Sequence, residues 1–239
     1  MGNWLNENKN QIDYYVSSKD VILVERQKQF HLLLELFNSY FAQKEGLRFL
    51  DIGCGDGVLT KLLCDLYPKN TFHLLDGSKT MLKKAKDNIR AKSASFIYDT
   101  VENFVHSNTN EYYYDFVFSS LAIHHVEHTK KYELFSKIHT LLRHNGLFIN
   151  IDVVLPSSPK TESIQFKMWV DYINDYLRNT QRDGEVGNHD NLPVIYKENS
   201  ENKPSSLISQ LKMLDEIGFK DVECYYKNGI FALIGGSKL

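Results

Sequence analysis

The stretch Phe49-Leu50-Asp51-Ile52-Gly53-Cys54-Gly55-Asp56-Gly57 decides the fold of this chain. Its first half is typical of a buried strand, and the alternating glycines that follow allow the backbone to turn tightly. The segment 58–67 has the pattern of a helix. Strand, glycine-rich loop and helix in this order predict the opening of an α/β domain that binds a nucleotide-like ligand.

The spacing of the glycines separates two kinds of ligand. A dinucleotide-binding loop has the pattern G-x-G-x-x-G, whereas here position 58 is valine and Gly57 comes one residue early. This spacing argues against a pyrophosphate-binding loop and favours another cofactor that contains adenosine. A nicotinamide-dependent oxidoreductase is therefore the least favoured enzyme class.

Length and composition predict one ordinary globular domain. The chain has 239 residues, of which 42% are hydrophobic and 24% charged, and its formal net charge is −2. That length suffices for one α/β domain with its own core. No lysine and arginine block indicates a nucleic-acid surface, and no apolar run has membrane-spanning length. The three cysteines lack the spacing of a metal site or a disulfide framework, so we predict a cytoplasmic protein without a metal.

Apolar runs predict strands that alternate with helices along much of the chain. The predicted strands are 48–52, 71–75, 95–98, 115–119 and 147–154, and the predicted helices between them include 78–92 and 129–143. Ser78 is the expected N-cap of the first of these helices, and Asn145-Gly146 the expected stop of the second. The alternation predicts a parallel sheet with helices on both faces.

The end of the chain departs from that alternation. A helix at 205–217 ends at Gly218, and two strands follow at 219–226 and 230–235. Only Lys227-Asn228-Gly229 separates these strands, and Asn-Gly is typical of a tight hairpin turn. The last strand must therefore run antiparallel to its neighbour.

Two further segments flank the sheet in a single domain that we assign to residues 1–239. Residues 1–43 are predicted to form a helical arm or cap, and residues 156–204 a lid between strand five and the last helix. The lid is expected to contain a helix with Trp169 and Tyr172, which we predict to contact the substrate. A variable loop with one packed helix is the alternative.

Taken together, these motifs resemble the class I S-adenosylmethionine-dependent methyltransferases, specifically their small-molecule branch with type 12 or type 25 domains. Residues 49–57 are similar to the first motif of that family, 74–82 to its acidic second-strand end, and 118–126 to its strand-four motif. The resemblance covers about 45–155 and 205–237. It implies a Rossmann-like, doubly wound, seven-stranded sheet with six parallel strands and an antiparallel C-terminal strand, plus a helical lid insertion.

The resemblance also implies a site for S-adenosylmethionine and its product S-adenosylhomocysteine. The implied cofactor-binding residues are Asp51, Gly53, Cys54, Gly55, Asp76, Gly77, Met81, Asp99, Thr100, Ser120, Leu121 and Tyr15. A carboxylate at Asp76 suits both ribose hydroxyls, although it could also cap the next helix. Asp51 could face the amino group or order the loop, and Asp99 could accept from adenine or lie in a solvated turn. Met81 could equally be a core residue.

Two residues are candidates for catalysis. His124 could take a proton from the acceptor, and Asp152 could orient an amine or hydroxyl. The alternatives are a histidine that packs a loop and an aspartate that caps a turn.

These features predict methyl transfer to a small-molecule acceptor by a monomer or homodimer that binds neither nucleic acid nor membrane. A tRNA-modifying enzyme of the same fold is an alternative, which would require a basic approach surface. A non-catalytic cofactor-binding protein, with a partner docked on its lid, is another.

Overall fold

The computed structural model describes residues 9–42, 44–107 and 113–239, so residues 1–8 and residue 43 of the predicted arm lie outside the described residues. A seven-stranded sheet has the strand order β3-β2-β1-β4-β5-β7-β6. The strands are β1 Arg48–Ile52, β2 Thr71–Asp76, β3 Ala94–Tyr98, β4 Tyr114–Ser120, β5 Leu142–Val153, β6 Lys220–Asn228 and β7 Phe231–Lys238.

Strand directions confirm the predicted fold class. Strands β1 to β5 pair in parallel with one another, whereas β7 is antiparallel to both β5 and β6. Six strands therefore run one way and β7 runs the other. Gly229 has a φ of 56°, the left-handed conformation that the predicted Asn-Gly hairpin turn requires.

Helices cover both faces of the sheet. They are α1 Lys9–Ile22, α2 Arg26–Phe41, α3 Val58–Leu66, α4 Lys79–Asn88, α5 Val101–His106, α6 His128–Leu141, α7 Pro159–Asn179, α8 Leu192–Glu198 and α9 Leu207–Ile217. Successive side chains of β1 point to opposite faces. Phe49 accordingly joins a core with α2 and α3, while Leu50 joins a second core with α6 and α9. These two cores hold the sheet edge that carries the site.

Local signals for helix ends were partly right. The Ser78 hydroxyl caps α4 by accepting from the Met81 amide at 3.2 Å, and Gly218 ends α9 with a φ of 110°. The prediction that Asn145-Gly146 stops the preceding helix is wrong, because α6 ends at Leu141 and β5 begins at the next residue. Asn145, with a φ of 62°, lies inside β5, where the pairing with β4 shifts register. A bulge there satisfies the same turn chemistry.

The region between β5 and α9 contains the predicted aromatic helix, α7, and also α8, which we did not predict. Together with α1, these helices form what we call the cap (α1, α7 and α8). The cap has its own apolar cluster, in which Trp169 of α7 packs edge-on against Phe231 of β7 with ring centroids 5.6 Å apart. No helix among the described residues has both the length and the apolar character needed to cross a membrane.

Candidate functional site

The candidate site lies at the carboxyl edge of the parallel strands. The glycine loop follows β1, Asp76 ends β2, Ser120 ends β4 and Asp152 lies near the end of β5. Ligands of open α/β sheets bind outside this edge. The strand order therefore brings together residues that are about a hundred positions apart in the chain.

The loop after β1 is bound to β2 through its backbone. The amides of Gly53 and Cys54 both donate to the Leu75 carbonyl, at 2.8 and 3.0 Å. Gly53 has a φ of +71°, and a Cβ there would come within 2.2 Å of the Ala122 Cβ. Gly55, with a φ of +56°, faces open space instead. Gly53 thus permits packing, while Gly55 leaves room for a ligand.

Asp76 is held between the loop and α4. Its Oδ2 accepts from the Gly55 amide at 2.8 Å, and its Oδ1 accepts from the Ser78 amide at 2.8 Å. A carboxylate has about four lone-pair sites, so it can accept from several donors at once. The arrangement suits the predicted ribose contact and also contains the predicted link to the helix start.

Asp51 is a buried carboxylate beneath the loop. It is 3% exposed, and the Thr60 hydroxyl donates to its Oδ2 at 2.5 Å. Burial raises the pKa of Asp51 to about 7, with smaller increases from Asp76 and Asp56, and the Thr60 bond opposes the rise. A cationic group of a ligand beside it would stabilise the charged form.

Residues at the ends of β2 and β3 include those expected to contact the adenine part of the cofactor. The Asp99 amide donates to the Asp76 carbonyl at 3.2 Å, so the two aspartates lie side by side. The Thr100 amide, which we expected to face adenine, donates to Asp99 Oδ1 at 2.9 Å instead. Gly77 follows Asp76 directly, while Met81 is 4% exposed, which favours the core alternative for its side chain.

Helix α1 covers the edge from above. Burial is the largest cause that raises the pKa of Tyr15 to about 12, and the charges of Asp56, Asp152 and Asp76 contribute to the same rise. Tyr15 therefore lies within electrostatic range of the loop, β2 and β5 together. Lys19, which no sequence pattern pointed out, forms a buried ion pair with Asp56 of the loop. By contrast, Tyr14 is 51% exposed.

His124 and Asp152 form a buried pair. His124 Nδ1 lies 2.5 Å from Asp152 Oδ1, and the Val153 amide donates to the same oxygen at 2.9 Å. With the carboxylate ionised, Nδ1 carries the proton and Nε2 is left as the basic nitrogen. Leu121 positions this loop with a φ of 57°, a strained conformation for leucine that is held by a 2.8 Å bond from its amide to the Ile151 carbonyl.

The loop around His124 is joined to the segment before α9. The Lys203 amide donates to the His124 carbonyl at 2.7 Å. Lys131 is 0% exposed, and its ammonium donates to the carbonyls of Val126 and Lys203 at 2.5 and 2.6 Å. Burial lowers the pKa of Lys131 to about 8. A lysine in a polar helix gives no sequence signal for such a role, and we did not predict it.

The aromatic residues predicted for the lid bind the rest of the protein. The Trp169 indole donates to the Ile22 carbonyl at 2.7 Å, and the Tyr172 hydroxyl accepts from the Glu25 amide at 2.8 Å. Both side chains therefore join α7 to the turn between α1 and α2. Their contact with a substrate stays a prediction. Among the described residues, no group of three or more His, Cys, Asp or Glu side chains could hold a metal ion.

Comparison with known proteins finds a methyltransferase domain in the first half of the sheet. Residues 49–146, from the glycine loop to the start of β5, match a family model described as a methyltransferase domain. This match, the methyltransferase relatives and the solved methyltransferase structures support the predicted class I S-adenosylmethionine-dependent methyltransferase. They also support S-adenosylmethionine as the cofactor. The edge also fits that cofactor, since Asp76 suits ribose, Asp51 suits the ammonium group and Gly55 leaves space.

Several curated relatives match about half of the chain or less. It is 27% identical to malonyl-[acyl-carrier protein] O-methyltransferase 1 of Ilyobacter polytropus over 50% of this chain and 43% of that protein. The chain is 33% identical to the mitochondrial ubiquinone biosynthesis O-methyltransferase of Dictyostelium discoideum, over 39% of this chain and 32% of that protein. The chain is 22% identical to carboxy-S-adenosyl-L-methionine synthase of Staphylococcus epidermidis, over 84% of this chain and 82% of that protein. The chain spans about two fifths of the length of the malonyl relatives it matches.

Solved structures share the fold across nearly the whole chain. An O-methyltransferase family protein of Burkholderia thailandensis superposes with a TM-score of 0.65 at 13% identity, covering 98% of this chain and 61% of that one. Human N-acetylserotonin methyltransferase, solved with S-adenosylmethionine, superposes with a TM-score of 0.59 at 14% identity, covering 98% of this chain and 55% of that one. At such identities the likeness shows the fold alone.

Proposed function

We propose that this protein transfers the methyl group of S-adenosylmethionine to a small-molecule acceptor bound beside His124 and Asp152. One observation carries the proposal. The buried histidine–carboxylate pair lies on the same sheet edge as the glycine loop and Asp76. A donor site and a proton-accepting pair on adjacent strand ends are what methyl transfer to a protonated acceptor requires.

The donor site is assigned residue by residue. Asp76 accepts from the ribose hydroxyls, and Asp51 faces the ammonium group of the methionine part. Asp99 accepts from the adenine amine, while the backbone at Gly55 and Ser120 lines the path between them. Tyr15 of α1 closes the site from above. These roles are supported by the open space at Gly55 and by the electrostatic proximity of Tyr15 to the three strand ends.

The acceptor side needs little covalent chemistry from the protein. S-adenosylmethionine supplies an electrophilic methyl group. The acceptor's heteroatom forms the new bond to that carbon while the old carbon–sulfur pair stays on sulfur, and the acceptor's proton passes to His124 Nε2. Asp152 then stabilises the imidazolium. Alignment can lower such a barrier by roughly 7–11 kcal/mol, and a positioned base adds about 10²–10⁴-fold.

Transfer of a labelled methyl group tests the proposal. The protein is incubated with methyl-labelled S-adenosylmethionine and a cell extract that is afterwards separated into small molecules, RNA and protein. We expect label in the small-molecule fraction. His124→Gln should lower this turnover by about 10²-fold, since the base is lost, with unchanged affinity for the cofactor. His31→Gln, at an exposed position of α2, is the matched control.

Other outcomes point to the competing functions. Label in the RNA fraction, with binding that weakens steeply as salt rises, would indicate a tRNA-modifying enzyme. Cofactor binding without transfer to any fraction would indicate a non-catalytic protein. Either result contradicts the proposal.

A further inference from the structure

Tyr196, on the short helix α8, packs against the apolar cluster of the cap. The Tyr196 ring packs edge-on against Trp169, with centroids 6.0 Å apart, and against Phe166 at 6.2 Å. Its carbonyl accepts from the Asn202 side chain at 2.8 Å. Both the ring and the backbone are therefore fixed, so the position of the hydroxyl is set by the cap.

The hydroxyl of Tyr196 is buried and has no hydrogen-bond partner among the described residues. A buried polar group without a partner is costly, and such a group in a native structure calls for an explanation. Burial and then the charge of Asp152 hold the pKa of Tyr196 well above its ordinary value. The hydroxyl is therefore protonated at neutral pH and can donate a hydrogen bond near Asp152.

The surroundings of Asp152 restrict what could receive that bond. Tyr15 of α1 and Tyr196 of α8 both lie in electrostatic range of its carboxylate, and both pack against the apolar cluster of the cap, as does Leu121. The Tyr196 hydroxyl thus stands beside apolar side chains. One polar group among apolar side chains is typical of sites for small organic ligands.

Charge further narrows the acceptor class. Burial lowers the pKa of His125 to about 3, so this neighbour is neutral. Lys131 is near enough to interact with Asp152, but its ammonium already donates to two carbonyls. Neither of these two described neighbours is available to pair with a carboxylate acceptor, which would then face the charge of Asp152, and this disfavours its binding.

We propose that Tyr196 is an acceptor-binding residue, which donates a hydrogen bond to an oxygen of an uncharged, hydroxylated acceptor held beside His124. This inference rests on the proposed function and adds the acceptor's chemical class. The acceptor hydroxyl gives its proton to His124, as described above, while Tyr196 positions the molecule. Because α8 belongs to the cap, acceptor binding and placement of α8 are coupled.

Calorimetry with two matched probes tests this inference on the full chain. Catechol is an uncharged hydroxylated ring and benzoate is its anionic counterpart. Each is titrated into protein saturated with S-adenosylhomocysteine. We expect catechol to bind about tenfold or more tightly than benzoate, and Tyr196→Phe to weaken catechol by about tenfold, the loss of one hydrogen bond. Tyr132→Phe, exposed on α6, should bind like the wild type.

Each other result overturns the inference. Benzoate that binds as tightly as catechol removes the charge argument, and unchanged catechol affinity in Tyr196→Phe removes the residue assignment. A wild-type protein that binds S-adenosylhomocysteine but not catechol contradicts the acceptor class. Failure to bind S-adenosylhomocysteine would instead refute the proposed function, so the two failures are distinguishable. The comparison of probes on the wild type does not depend on how the variant folds.

Discussion

Glycines of one loop differ in what they do. Gly53 is packed so closely on Ala122 that a Cβ would lie 2.2 Å from its neighbour, whereas Gly55 faces open space. Both have positive φ values, so the sequence pattern cannot tell them apart. The two glycines differ in their packing. The loop after β4 packs on Gly53 through Ala122, whereas no described residue packs within 4 Å of the position that a Cβ of Gly55 would take.

Alanine substitutions should therefore separate stability from binding. Gly53→Ala combines left-handed strain with a clash, and we expect the free energy of unfolding to fall by about 2–5 kcal/mol. Gly55→Ala should lose only about 1–2 kcal/mol yet weaken S-adenosylmethionine binding by about tenfold or more, since a methyl group enters the ligand space. Urea unfolding and calorimetry measure the two effects. Equal stability losses in both variants would contradict the distinction.

The buried carboxylate of Asp51 should make stability depend on pH. Its folded pKa of about 7 exceeds its ordinary value of 3.8, so the native state binds the proton more tightly than the unfolded chain. The stabilisation from this proton is complete below about pH 4 and is lost as pH rises through 7. Its full size corresponds to roughly 4 kcal/mol.

Asp51→Asn tests this pH dependence in the ligand-free protein. The variant should gain stability relative to the wild type between pH 5 and pH 8, measured by urea unfolding at both values. Asp87→Asn, at an exposed position of α4, should show no such gain. A stability difference for Asp51→Asn that is the same at both pH values would refute the assignment.

At the scale of elements, the cap is joined to the sheet by a few specific bonds. Trp169 of α7 is buried and donates to the Ile22 carbonyl at the end of α1. Trp169→Phe keeps most of the apolar surface but leaves this carbonyl unpaired. We expect unfolding free energy to fall by about 1–3 kcal/mol, with the Michaelis constant for the acceptor nearly unchanged.

The matched control is Met168→Leu, at the exposed neighbouring position of α7, which should change neither quantity. Should Trp169→Phe instead raise the Michaelis constant strongly at full stability, the earlier prediction that Trp169 contacts the substrate would be right.

Local patterns predicted many of the elements, because local chemistry determines them. The glycine loop, the Ser78 cap and the Asn228-Gly229 turn each depend on residues within a few positions, and the structure contains all three. Asn145-Gly146 was misassigned because a left-handed residue serves a strand bulge as well as a helix end.

The site was less predictable, since its decisive contacts join distant positions. Asp76, His124 and Asp152 could be placed from their strand ends alone. Lys19 with Asp56 and Tyr196 near Asp152 depend on how the cap packs. The sequence periodicity of α1 and α8 does not predict how these helices pack on the sheet.

At the scale of the whole molecule, α1 of the cap is held against the sheet edge. The buried Lys19–Asp56 ion pair holds α1 on the glycine loop, and Tyr15 of the same helix lies within electrostatic range of Asp56, Asp76 and Asp152. Removing one partner of a buried pair leaves an uncompensated charge. Opening of α1 is therefore the expected route for cofactor exchange.

Lys19→Met should loosen this closure. We expect amide hydrogen exchange in α1 to be faster than in the wild type. Release of S-adenosylhomocysteine, measured by stopped flow, should be about tenfold faster. Lys61→Met, which removes an exposed pair on α3, serves as the control. Unchanged exchange and release in Lys19→Met would show that α1 does not gate the site.

Direct binding of the cofactor tests the central claim that this sheet edge is an S-adenosylmethionine site organised by Asp76. In calorimetry, the wild type should bind S-adenosylmethionine and S-adenosylhomocysteine with one site each. Asp76→Asn should bind both more weakly by about 10–100-fold, as expected for lost hydrogen bonds to a charged group, while Asp65→Asn on the exposed end of α3 should match the wild type. Absence of binding to the wild type, or equal affinity in Asp76→Asn, would contradict the account.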